Sequence, residues 1–153
     1  FYHDYDLNKI KEEIINNSNY EYYLINRITF WKNPDYILIN KNDKIHVEYP
    51  EIAINLNENT NFFRCRKCRG GKFKILNYTC YHMSYVLSDD ECWSKINTWG
   101  HTHQIKNKEE WYNEKWLKWS KNVLNLHPVK PTEWKKAIKL TSDLNLPKII
   151  KNV

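Results

Sequence analysis

No apolar run in this 153-residue chain approaches the roughly 20 residues a helix needs to cross a bilayer, and no charged-then-apolar leader stands at its start. A soluble protein is expected. The chain also lacks a glycine-rich phosphate loop, a nucleophile elbow and a His-Glu-x-x-His helix, the local signatures of nucleotide, ester and metalloprotease chemistry. No segment repeats. Arginine is scarce, with four residues against 20 lysines, and acidic residues are absent between Asn61 and Ser88.

What is present is apolar and aromatic enough to fold. Hydrophobic residues make up 41% and aromatics 15%, with seven tryptophans, so one globular core is expected in place of a disordered tail. Twenty Asn and 20 Lys are what AT-rich coding produces whatever the function, so lysine content carries little weight. Arginine carries more. Arg64, Arg66 and Arg69 fall within six residues, and guanidinium presents a rigid fork of donors that matches phosphate or a guanine edge. Residues 1–61 hold six basic and ten acidic side chains, whereas 62–153 hold 18 and eight. Within the acid-free stretch Arg64, Arg66, Lys67, Arg69, Lys72 and Lys74 make a field of one sign that attracts a phosphate backbone. The plain alternative is a solvated basic face.

Spacing predicts a helix over about 6–16, with Leu7, Ile10 and Ile14 on one side and Asp6 as its cap. Aromatic and β-branched residues from Tyr20 to Ile39 and from Ile45 to Tyr49 read as strands joined by a hairpin at 40–43. Phe62–Cys65 and Lys72–Leu76 flank Gly70-Gly71 as a second hairpin. Asn107 with Glu110 resembles a capping box, and Tyr112, Trp116, Trp119, Val123 and Leu126 then recur at intervals of four and three, predicting an inward-facing helix over 107–126. A further helix is expected from Pro131-Thr132 with Trp134, Ile138 and Thr141. The expected class is α+β: an N-terminal helix and lead-in over 1–27, a small antiparallel zinc-bound sheet over 28–105, and a helical extension over 106–153 packed on it.

Cys65 and Cys68 form a Cys-x-x-Cys pair beside basic residues that favour thiolates, a spacing suited to one zinc ion. A redox pair would open a helix, and no helical pattern follows. For the other two ligands His101 and His103 are favoured, as alternate positions of an extended segment. Cys80, His82 and Cys92 compete; Cys80 and Cys92 would complete a four-cysteine site or bridge each other.

The aromatic-rich hairpin from Phe30 to Tyr49, the aromatics before the first cysteine (Phe62-Phe63-Arg64-Cys65), Cys68 and the closing Gly100-His101-Thr102-His103 together resemble a FLYWCH-type zinc finger of the WRKY and glial-cells-missing group, over about residues 28–105. The resemblance implies a small antiparallel sheet, a Cys65, Cys68, His101, His103 zinc site, DNA binding, and a transposon-derived or transcription and chromatin role in the nucleus. The Cys-x-x-Cys spacing and the 32 residues between Cys68 and His101 depart from that pattern, making Cys80 to Trp93 an insertion.

The leading expectation is a non-catalytic, zinc-dependent module for nucleic acid, double-stranded DNA first, gripped by Arg64, Arg66, Lys67, Arg69, Lys72 and Lys74. RNA stacked on Tyr81, Tyr85 or Trp93 is a variant of it. A protein-interaction module is the rival class, because the aromatic-rich N-terminal half and the Trp-rich segment offer a groove for a protein partner. The third is a zinc hydrolase or nuclease using Asp89-Asp90-Glu91.

Overall fold

The computed structural model describes residues 1–3, 5–56, 60, 62–63, 67–68, 71–141, 144, 146–147 and 150, the side chains of Phe63, Lys67 and Cys68 excepted. The protein is α+β, with three α-helices and small antiparallel sheets among the described residues. Its chain divides into two compact units: residues 1–28, 47–81 and 146–152, and residues 29–46, 82–145 and 153. None of the described helices is long and apolar enough to cross a membrane.

The first unit sets helix α1 (Asp6–Asn16) on one face of a sheet. Asp6 is the first helical residue and not the cap; Tyr5 occupies the cap position without a side-chain bond. At the other end the Tyr23 hydroxyl donates to the Asn17 carbonyl at 2.6 Å, tying the helix terminus to the sheet. Strand β1 (Tyr22–Trp31) pairs antiparallel with β3 (Val47–Glu48) and β4 (Glu51–Ile54), matching Arg27 to Glu48 and Tyr22 to Ile54. It also pairs with β7 (Phe73–His82). Because strand side chains alternate between faces, Tyr23, Ile25, Ala53 and Leu76 meet Ile10 and Ile14 of the helix as the core of this unit. Between β4 and β7, β5 (Phe62–Phe63) pairs with β6 (Lys67–Cys68). The expected hairpin across Gly70-Gly71 is therefore replaced by a tighter ladder within 62–68, and the long strand after it pairs with β1 instead.

In the second unit the chain turns at Lys32, whose φ of 66° is a left-handed conformation, and β2 (Asn33–Ile39) runs back along the end of β1. The turn at 40–44 closes only an isolated bridge, Ile39 to Ile45, before the chain leaves for β1 as β3. Hence the expected hairpin there is a single bridge. The other edge of β2 pairs with β8 (Lys136–Lys139), setting Leu38 opposite Ala137. A helix was expected from 131; only Pro131–Glu133 makes one short 3₁₀ turn. The spacing of Trp134 and Ile138 fits either period, and the free backbone edge of β2 decides for the strand.

Helix α2 (Asp89–Thr98) begins inside the Cys80 to Trp93 stretch that the zinc-finger resemblance treats as an insertion and runs on beyond it. Ser88 and Glu91 form a reciprocal capping box at its start, and Cys92 and Ile96 face the core. Helix α3 (Lys108–Trp111) is capped by Asn107 as expected, but it passes into a π-helical turn over Tyr112–Leu117 and stops there, short of the expected Leu126. The expected stripe nevertheless faces inward: Trp116 and Leu126 are fully buried, with Tyr112, Trp119 and Val123 packed against the same core. Asn125, with φ of 60°, reverses the chain, and the Trp111 indole N–H donates to the Leu126 carbonyl at 2.9 Å. Trp31 lies at the centre of an aromatic cluster, 5.2 Å from Trp116, 5.5 Å from Tyr85 and 6.2 Å from Trp134, centroid to centroid.

Candidate functional site

Strands β5 and β6 frame the segment that the sequence singles out. Their ladder matches Phe62 to Cys68 and Phe63 to Lys67, so Lys67 and Cys68 are placed by backbone pairing. Arg64, Cys65, Arg66 and Arg69 lie outside the described residues, as do the Lys67 and Cys68 side chains. The two basic residues that follow are described, and both turn toward the helix side of the sheet. Lys74 Nζ meets Glu13 Oε1 at 3.1 Å and Asn17 Oδ1 at 3.0 Å, while Lys72 Nζ lies 4.7 Å from the Tyr20 ring centroid. Lys74 thus serves the fold of its own unit.

His101 and His103 are exposed, but the extended segment assumed for them is a turn: His101 caps the 3₁₀ helix Thr102–Gln104 and His103 sits within it. At three residues per turn, positions two apart point about 120° away from each other, so this backbone does not itself aim both imidazoles at one point. His101 packs edge-on against Trp99 at 5.0 Å, and His103 Nε2 lies 3.4 Å from the Gln104 amide. Among the described residues, no three His, Cys, Asp or Glu side chains converge as a metal centre requires.

The competing ligands are built into their units. Cys80 and Cys92 are free thiols. Cys92 is fully buried in the aromatic core, and burial pushes its pKa up to about 12, which keeps the free thiol protonated. His82 Nδ1 lies 3.4 Å from Thr29 Oγ1 and 3.2 Å from Ser84 Oγ. Tyr81 and Tyr85, offered as stacking platforms, are both buried; Trp93, at 37% exposure, is the accessible member of that trio, with its ring tilted over Tyr112 at 5.0 Å.

The acidic cluster Asp89-Asp90-Glu91 forms the first turn of α2. Glu91 accepts from the Ser88 backbone N–H at 2.7 Å, and this bond holds its carboxyl below the ordinary range. Asp89 Oδ1 accepts from Lys32 Nζ at 3.1 Å and from the Trp116 indole N–H at 2.8 Å; Lys32, then Trp116, depress its pKa. Lys32 Nζ also sits 3.9 Å above the Trp116 ring. These acids serve the helix terminus and the lysine.

The second unit also has a cleft of about 660 Å³ bordered by Trp111, Glu110, Glu114, Lys115, Pro128 and Pro131. Three of its charged groups already have partners: Glu110 with Asn107, Glu114 with Lys118, and Lys115 with the Leu124 carbonyl.

Sequence reasoning missed the outer face of the first sheet. Opposite the side covered by α1, Tyr22 and Phe73 stack at 5.5 Å with planes 24° apart, and Phe73 and Ile75 remain 48% and 47% exposed. The order Lys72-Phe73-Lys74-Ile75-Leu76 puts Phe73 and Ile75 on one face and Leu76 on the other, without saying which face is covered. Leu76, Tyr78 and Cys80 continue one face into the core, which sends Phe73 and Ile75 outward.

No protein-family model, curated protein or solved structure matches this chain.

Proposed function

We propose that the protein is a non-catalytic nucleic-acid-binding module whose grip comes from the basic segment between Arg64 and Lys74, shaped by zinc on Cys65 and Cys68. The observation that carries this reading is the concentration of three of the four arginines at 64–69 inside a 61–88 span without one acidic residue. Lysine is abundant everywhere in the chain, so only arginine placement is informative. The partial likeness to FLYWCH-type fingers adds support, with His101 and His103 as the proposed second ligand pair. The β5–β6 ladder is consistent with it, because it brings the residues flanking Arg64-Cys65-Arg66 side by side. Phosphate contacts release counterions, so log affinity should fall with log salt by about 0.9 per phosphate neutralised on a duplex or about 0.7 on a single strand. Changing Arg64, Arg66 and Arg69 together to Gln should make that slope shallower, and the fold should survive. Binding with no salt dependence, or untouched by the triple change, would reject the reading.

A second reading is favoured by one observation. The exposed Phe73 and Ile75, with Ile52 on the same sheet, give the first unit an apolar outer surface suited to a protein partner.

A further inference from the structure

Resting on the nucleic-acid reading above, we propose that the ligand is single-stranded and that its unpaired bases stack on the Phe73–Tyr22 platform of the first unit's open sheet face. The platform is built by alternation. Helix α1 covers the side of Tyr23, Ile25 and Leu76, which leaves Tyr22, Phe73 and Ile75 on the other. Tyr22 backs one side of Phe73 in a near-parallel stack, and about half of the Phe73 surface stays in solvent, room for one more flat ring.

Charge divides the work. The strand's own lysine, Lys74, is paired on the opposite side of the sheet with Glu13, so the platform itself is apolar. A carboxylate, that of Glu21, lies against Gly71 at the entry to the strand and repels phosphate there. Bases suit such a surface and phosphates do not. The cations that suit phosphates precede it in the chain: Arg69 is four residues from Phe73, a reach of at most about 14 Å of backbone. A basic stretch that leads in the chain to an uncharged aromatic surface is the combination that holds single strands, with affinity from the backbone and sequence-tolerant stacking of bases. A duplex buries its base faces in its own stack and cannot use the ring of Phe73.

The test uses fluorescence anisotropy at low salt with four labelled probes: a 20-mer of dT, a 20-mer of U, an abasic 20-mer and a 20-base-pair duplex. The dT or U strand should bind about tenfold or more tighter than the abasic strand and the duplex. Phe73→Leu should erase that advantage and Phe73→Trp should keep it, with thermal melts confirming that both variants fold. Whichever of dT and U binds better assigns DNA or RNA. Abasic and dT strands binding equally, a preference for duplex, or indifference to Phe73→Leu would overturn the stacking platform while the arginine segment stands, provided the triple Gln variant weakens binding. A wild-type dimer by sedimentation that Phe73→Leu dissociates, with binding unchanged, also overturns it and makes the face an interface between copies. Failure of all four probes to bind at micromolar protein overturns the nucleic-acid reading itself.

Discussion

Trp116 is fully buried, carries Lys32 on its ring and donates to Asp89, so three interactions end on one side chain. Trp116→Ala should lower stability by about 3–5 kcal/mol, read from the urea midpoint, whereas an unchanged midpoint would remove the residue from the core. Its inward orientation was legible in the sequence, because a stripe of large apolar side chains has nowhere else to go. Lys95 was not legible. Its stem lies in the second unit with Nζ 3.9 Å from the Tyr85 ring centroid and bonded to the Ser84 carbonyl, and burial lowers its pKa from 10.5 to about 8. A lysine that loses its proton more readily when folded opposes folding while charged, so stability rises as pH climbs from about 8 toward 10.5. Cys92 acts with the opposite sign. Its thiol stays protonated to about 12 in the fold but ionises near 9.0 when unfolded, so stability falls above that value. The rise due to Lys95 is therefore clearest between about pH 8 and 9, and Lys95→Met should flatten it relative to wild type in urea titrations at pH 7, 8 and 9.

At the scale of elements, α2 depends on its capping box. Ser88→Ala removes the acceptor for the Glu91 backbone N–H and should cost about 1 kcal/mol by denaturant midpoint, with the slope unchanged. The Ser88-Asp-Asp-Glu91 pattern announced this helix, yet a metal-centred reading of the surrounding cysteines made the segment an insertion. In β8 the sequence pointed the other way. Trp134 and Ile138 are four apart, and only the open edge of β2 turned that stretch into a strand. The helix expected to reach Leu126 ends at Leu117 because a π turn and the Asn125 reversal deliver Trp119, Val123 and Leu126 to the core by a loop. The burial pattern was right and the backbone conformation was not.

For the whole molecule the zinc proposal is the sharpest test. Native mass spectrometry should find one zinc per chain, and Cys65→Ala should abolish it. His101→Ala should weaken it strongly, whereas Cys92→Ala should leave it unchanged, since the Cys92 side chain is enclosed in the aromatic core of the second unit. Zinc lost on Cys92→Ala but kept on His101→Ala would replace the proposed histidine pair with the four-cysteine arrangement. The formal charge of +6 is a whole-chain quantity, but the +10 of residues 62–153 against the −4 of residues 1–61 concentrates the positive charge in the later part of the chain.

Composition and periodicity by themselves determined the α+β class, helix α1, the strand character of β1 and β2, and the burial of the tryptophan stripe, because each follows from where local apolar side chains must go. The arginine cluster and the Cys-x-x-Cys pair are likewise plain in the sequence. Tertiary structure decided which strand edges met, and so made β8 a strand, gave β7 to β1 and left β5 and β6 to pair with each other. It also decided which side of β7 faces water. Local pattern cannot choose between Phe73 and Leu76 as the buried residue, since both are apolar and one step of register exchanges the faces; the helix packed on Leu76 makes that choice.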